Sequence, residues 1–182
     1  MSRRSQRGSF MIEAMIGIMI FFMGVLAMIG LQASSIAIQS DAQYRNEAGN
    51  LVEQILGEIN LGSRGANGAV VPATLAGFAH QTTGGTTTCR LLATDPNANA
   101  DCCNFSGGPS VNPIVVGAGG WVAAVSSDPA TRLPGSDATR QQIVVNIGPN
   151  ALAPVNQVIV TVCWQGPKDA RPRFHRVIGY VN

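Results

Sequence analysis

The apolar pattern of the chain begins with one unbroken block. Residues 14–31 read AMIGIMIFFMGVLAMIGL, eighteen consecutive positions with no charge and no strong hydrogen-bonding side chain. A helix needs about 20 such residues to cross the hydrocarbon core of a bilayer, so the block predicts a transmembrane helix. Further along, the block gives way to a stripe. Leu51, Ile55 and Ile59 recur every four residues, with Val52 and Leu56 beside them, which is the spacing of one helix face turned to a protein core. No proline separates block from stripe, and the residues between are good helix formers, so one helix is predicted over residues 9–60. At ~1.5 Å per residue such a helix is ~75 Å long, more than a bilayer core can hold, and its second half is expected outside the membrane. The stripe there requires a sheet to cover it, and Gly62 is the predicted stop.

The period then changes again. Residues 63–85 are rich in Gly, Ala and Thr and read as a connecting loop with one short element around Val70 and Val71. Five β-prone runs follow, at 86–92, 121–125, 142–147, 158–164 and 174–181, separated by turn chemistry such as Gly107-Gly108-Pro109, Leu133-Pro134-Gly135 and Gly166-Pro167. The run 158–164 is the strongest, and Gly166-Pro167-Lys168-Asp169 predicts a hairpin to the last run. The expected fold is α+β: a long N-terminal helix, half membrane-spanning and half amphipathic, packed on an antiparallel β-sheet head.

Composition supports the membrane segment. The chain of 182 residues is 46% hydrophobic and only 12% charged, about half the usual charged fraction of a soluble domain. Arg3, Arg4 and Arg7 precede the apolar block and no Lys or Arg follows until Arg45. The positive-inside bias therefore puts the N-terminus in the cytoplasm and the head outside. Without those three arginines the chain has nine basic against ten acidic side chains. Nucleic-acid binding, which needs a sustained basic surface, is not expected as its primary role. The one basic cluster, Lys168, Arg171, Arg173 and Arg176 with Phe174 and His175 interleaved, reads as a solvated hairpin.

Glu13 breaks the plain-anchor reading. It stands at the mouth of the apolar block, where an ionised carboxylate costs roughly a few kcal/mol unless it finds a partner. A secretory signal with a small-x-small site beyond the apolar segment fits poorly, since the nearest such site is Ser35-Ile36-Ala37, and it leaves Glu13 unexplained. Taken together, Arg7-Gly8-Ser9-Phe10-Met11-Ile12-Glu13 and the apolar helix resemble the class III signal of type IV prepilins. The resemblance implies a leader over residues 1–8, cleavage between Gly8 and Ser9, N-methylation of Ser9, and Glu13 as the fifth mature residue. The commonest family pattern has phenylalanine where Ser9 stands, and here Phe10 comes next. It also implies that Glu13 pairs with the α-amino group of a neighbouring subunit, each charge neutralising the other in a low-dielectric layer.

A second, looser resemblance concerns the head. Trp121, then Leu133-Pro134-Gly135, then Val160-Thr161-Val162-Cys163-Trp164, are similar to the head of PilV-type minor pilins. The resemblance implies a subunit that helps initiate type IV pilus assembly and ends in the filament or its tip complex. Its partners would be other minor and major pilins, prepilin peptidase, the pilus assembly platform and the inner membrane. The localisation implied is single-pass in the inner membrane with a periplasmic head over residues 61–182, then the pilus. Two alternatives are a pseudopilin of a type II secretion system and a periplasmic binding or adhesive module on a plain, uncleaved anchor.

Cys89, Cys102, Cys103 and Cys163 all lie on the extracytoplasmic side of the apolar block, where disulfides are favoured. Adjacent cysteines lack the gap of a zinc site, and a bridge within Cys102-Cys103 is strained. Each of that pair is expected to bond one of Cys89 and Cys163, in either of two connectivities. His80 and His175 sit in no metal-binding frame and read as ordinary polar histidines, and no nucleophile elbow, phosphate loop or paired carboxylates appear. No enzyme activity, metal or cofactor is expected.

Overall fold

The computed structural model describes residues 9–84, 103–149 and 155–182. Helix α1 runs over Ser9–Gly62 as a single 54-residue element. The chain divides into two compact units, 1–43 and 44–182, and α1 contributes to both.

In the first unit the stretch Phe10–Gln32 is long and apolar enough to cross a membrane, and none of it is buried in the protein. Phe10, Met15, Phe21, Leu26 and Leu31 are all more than three-fifths exposed. Apolar residues surround this helix on every side, so no single face is set aside for a protein core.

The second unit is built around the last third of α1. Leu51, Val52, Ile55 and Ile59 are fully buried and Leu56 packs against the same core. After α1, Arg64 and Val70 form an isolated bridge that closes a tight loop. A short helix α2, Pro72–Ala76, follows with proline at its start, and it buries Leu75. The short element expected near Val70 is thus this bridge, and α2 begins two residues later, where Pro72 supplies a preset helical φ.

Two very short strands, β1 (Thr83–Gly84) and β2 (Phe105–Ser106), pair antiparallel. Helix α3, Pro113–Val116, is capped by the Asn112 side chain, which accepts from the Ile114 N–H. Gly117 ends it, because any side chain there runs into the Pro113 carbonyl. Helix α4, Trp121–Ser126, replaces the strand expected over 121–125. Trp121, Val122 and Val125 are its buried residues, an i, i+1, i+4 set that points one helical face at the core. Two β-branched residues and a tryptophan suggest a strand by composition, yet a strand would send Val122 away from its neighbours. Burial decides for the helix.

A 3-10 turn, Ala138–Arg140, leads into the main sheet of β3 (Gln141–Asn146), β4 (Gln157–Trp164) and β5 (Arg173–Tyr180). The order is β3-β4-β5, antiparallel throughout. This sheet has three strands where five had been expected in all. The run 86–92 lies outside the described residues, and 121–125 is helical. The hairpin from β4 to β5 forms as the sequence predicts, with Asp169 accepting from the Gly166 N–H across its turn.

One face of β4, through Val158, Val160, Val162 and Trp164, joins the α1 residues in the core. On β5, Gly179 lies opposite Val158, and a Cβ at that glycine would come within 3.0 Å of Leu56. The sheet therefore approaches α1 too closely there for a side chain. The other face carries Thr161 and Cys163, both fully buried. Alternation along β4 thus places apolar contacts on both sides of the sheet.

Candidate functional site

The sequence singles out two places for function: the start of α1, and the cysteines of the head. Gly8 lies outside the described residues. Ser9 is the first residue of α1, and Glu13 stands one turn in, exposed and within the apolar stretch. At 100° per residue, Glu13 shares a helix face with Gly17, Ile20 and Gly24. At Gly17 and Gly24 nothing lies within 4 Å of where a side chain would start. The carboxylate therefore heads a face on which two glycines flank the exposed Ile20, and small residues of this kind let a second helix approach closely.

Of the four cysteines, Cys103 and Cys163 are brought together as a disulfide with a Cα–Cα distance of 5.8 Å, 60 residues apart in sequence. This is one of the two connectivities open from sequence. Its counterpart would join Cys89 and Cys102, which lie outside the described residues. The bridge packs with Phe105 and Phe174 in a small apolar cluster of its own. It ties the segment before β2 to the face of β4 that α1 does not cover. Among the described residues no group of three or more His, Cys, Asp or Glu is placed to hold a metal ion.

Trp121, the turn Leu133-Pro134-Gly135 and the end of β4 meet in space. The Trp121 indole N–H donates to the Leu51 carbonyl at 2.8 Å, pinning α4 to α1. Leu133 is buried and donates its backbone N–H to the Val125 carbonyl, while Pro134 accepts from the Gln165 N–H. Gly135 has φ +62°, and a side chain there would strike the Gln165 carbonyl, so Leu133-Pro134-Gly135 is a turn shaped to the end of β4. Ser136 Oγ completes the join by donating to the Cys163 carbonyl.

The basic cluster is partly engaged. Arg173 donates to Asp169 at 2.7 Å, and Arg176 Nε donates to Thr161 Oγ1 at 3.0 Å across the strands. The hydrogen bond from Arg173 is the main reason that the Asp169 carboxyl lies below its ordinary value, with the charge of Arg45 on α1 adding to the effect. Lys168 is exposed. The hairpin is thus bonded inward at Arg173 and Arg176 and open to solvent at Lys168.

A shallow, open groove of about 370 Å³ runs between α1 and the α3–α4 connection, with Gln54, Glu58, Ile114 and Trp121 among its lining residues. Gln54 donates to Glu58 across one turn, so the carboxylate in the groove is already engaged.

His80 sits in no metal-binding group among the described residues, and the sequence does not announce that it is fully buried and hydrogen-bonded through both ring nitrogens. Its neighbours in sequence, Phe78 and Ala79, are the one local hint of burial.

Comparison with known proteins returns no matching family model, no matching curated protein and no matching solved structure.

Proposed function

We propose that this chain is a structural subunit of a type IV pilus, a minor pilin of the PilV type that helps initiate assembly. The observation that carries the reading is one helix with two kinds of apolar surface. Its first part presents a bare apolar stretch headed by Glu13, and its last third forms the core of an α+β head. A membrane-anchored prepilin that later moves into a filament needs both. The first must trade lipid for neighbouring helices, while the second must stay folded throughout.

In this reading prepilin peptidase cuts between Gly8 and Ser9, Ser9 is N-methylated, and the subunit waits in the inner membrane with its head in the periplasm. The assembly platform passes it to other minor and major pilins. Glu13 in an apolar layer gains from docking beside a free α-amino group, so its desolvation cost favours helix-on-helix addition. The face through Gly17 and Gly24 is consistent with a neighbouring helix packing close to that carboxylate. The work is assembly rather than catalysis, and no cofactor enters it.

Deleting the chain and restoring it as wild type or as Glu13→Gln tests the proposal. Piliation is expected to fail on deletion, to return with wild type and not with Glu13→Gln. Full piliation in the deletion strain would overturn the initiating role.

A further inference from the structure

We propose that His80 is an acid-sensitive latch that holds the loop after α2 against the outer edge of β3. The backbone of His80 exchanges two hydrogen bonds with Ile143, donating to its carbonyl at 3.0 Å and accepting from its N–H at 2.9 Å. Among the described residues, His80 thereby occupies the edge of β3 away from β4, where no described strand pairs. Gln142 extends the join by donating from its side chain to the Gln81 carbonyl at 2.9 Å.

The ring fastens two further segments. The Ser110 backbone N–H can only donate, so Nδ1, 3.1 Å away, must offer its lone pair. The proton of the neutral ring is then on Nε2, where it is donated to the Ala138 carbonyl at 3.1 Å. Ser110 is itself buried and donates through Oγ to the Gly77 carbonyl. One imidazole therefore joins the loop after α2, the segment before α3, and the 3-10 turn before β3.

This geometry admits only the neutral ring. A proton added to Nδ1 faces the Ser110 N–H donor to donor, removes its acceptor, and leaves a positive charge in a fully buried site. Among the described residues no carboxylate bonds to the ring. Segments 77–84 and 103–112, α2 and β3 carry no acidic or basic side chain apart from His80 itself. The 3-10 turn has Asp137 and Arg140, which pair with each other at 3.6 Å. Near the end of α1, Glu58 accepts from Gln54 and Arg64 is held by Asn60 and the Gly68 carbonyl. Burial accordingly lowers the affinity of the ring for a proton, against a smaller opposing pull from Ala138.

The sign follows directly. The closed latch prefers the neutral ring, so its hold is complete above about pH 6.5, the ordinary histidine value, and weakens as pH falls from there toward the lowered value of the closed state. In that window the opening equilibrium rises about tenfold per pH unit, one proton being taken up on opening.

Hydrogen exchange of the full chain in detergent micelles between pH 7.5 and 5, corrected for intrinsic exchange rates, tests this. The His80, Ser110 and Ile143 amides are expected to lose protection on acidification, by about tenfold per pH unit in the sensitive range, while Val160 and Val162 in β4 keep theirs. Equal loss at all five positions, or none at the first three, overturns the latch. In His80→Gln the pH response is expected to vanish, and a response that persists assigns it to another group and overturns the proposal. If that variant does not fold, the wild-type titration decides alone.

Discussion

Residues Phe10–Gln32 and the stretch from Tyr44 to Gly62 belong to one helix but meet their surroundings in opposite ways. In the first, apolar side chains point in all directions and none is buried by protein. In the second, Ala48, Leu51, Val52, Ile55 and Ile59 are buried with Tyr44 and Leu56 packed beside them, and Leu61 alone among its large apolar residues is exposed. An apolar belt on all sides asks for a solvent that is itself apolar, whereas a stripe asks for a folded partner. One continuous backbone can serve both because helix hydrogen bonds are satisfied internally, in water or in lipid.

The contrast can be broken or sharpened by substitution. The largest effect is expected from Cys103→Ser, which opens a bridge spanning 60 residues and should cost the head about 4 kcal/mol of unfolding free energy. Denaturant unfolding of the oxidised wild type and the variant measures it. Next comes a pair. Ile55→Ala removes a fully buried side chain and should cost about 3 kcal/mol, while Met19→Ala, in the unburied stretch, should change head unfolding by less than about 0.5 kcal/mol. Equal effects at the two positions would erase the distinction between belt and stripe.

The smallest effect concerns the hairpin. With the Asp169 carboxyl held below its ordinary value by Arg173, the pair contributes stability that is present above about pH 4 and lost as pH falls through the lowered value. Asp169→Asn should flatten that acid limb in a pH series of thermal midpoints. At neutral pH it should cost no more than about 1 kcal/mol, as for an accessible ion pair.

Much of this division was legible in the residues alone. The helix predicted over 9–60 is found over Ser9–Gly62, and the strands expected at 142–147, 158–164 and 174–181 are β3, β4 and β5, each shifted by at most one residue at either end. Long periodic segments and a hairpin with a clear turn carry their own signal. The failures lie where a few residues answer to distant ones. Trp121 to Val125 looks like a strand until α1 supplies the core surface and the Leu51 carbonyl that make a helical face the better fit. The burial of His80 goes unannounced because its partners, Ser110 and Ala138, stand 30 and 58 residues away. Leu133-Pro134-Gly135 was visible as a turn, but its docking against the end of β4 depends on Gln165 and Cys163.

The proposed role rests on the belt being exposed by processing at its head and then transferred among neighbouring helices. N-terminal sequencing, together with the intact mass, of the protein recovered from membranes and from sheared filaments tests this most directly. The account predicts a chain beginning at Ser9 in both fractions. A chain beginning at Met1 and confined to the membrane would contradict it.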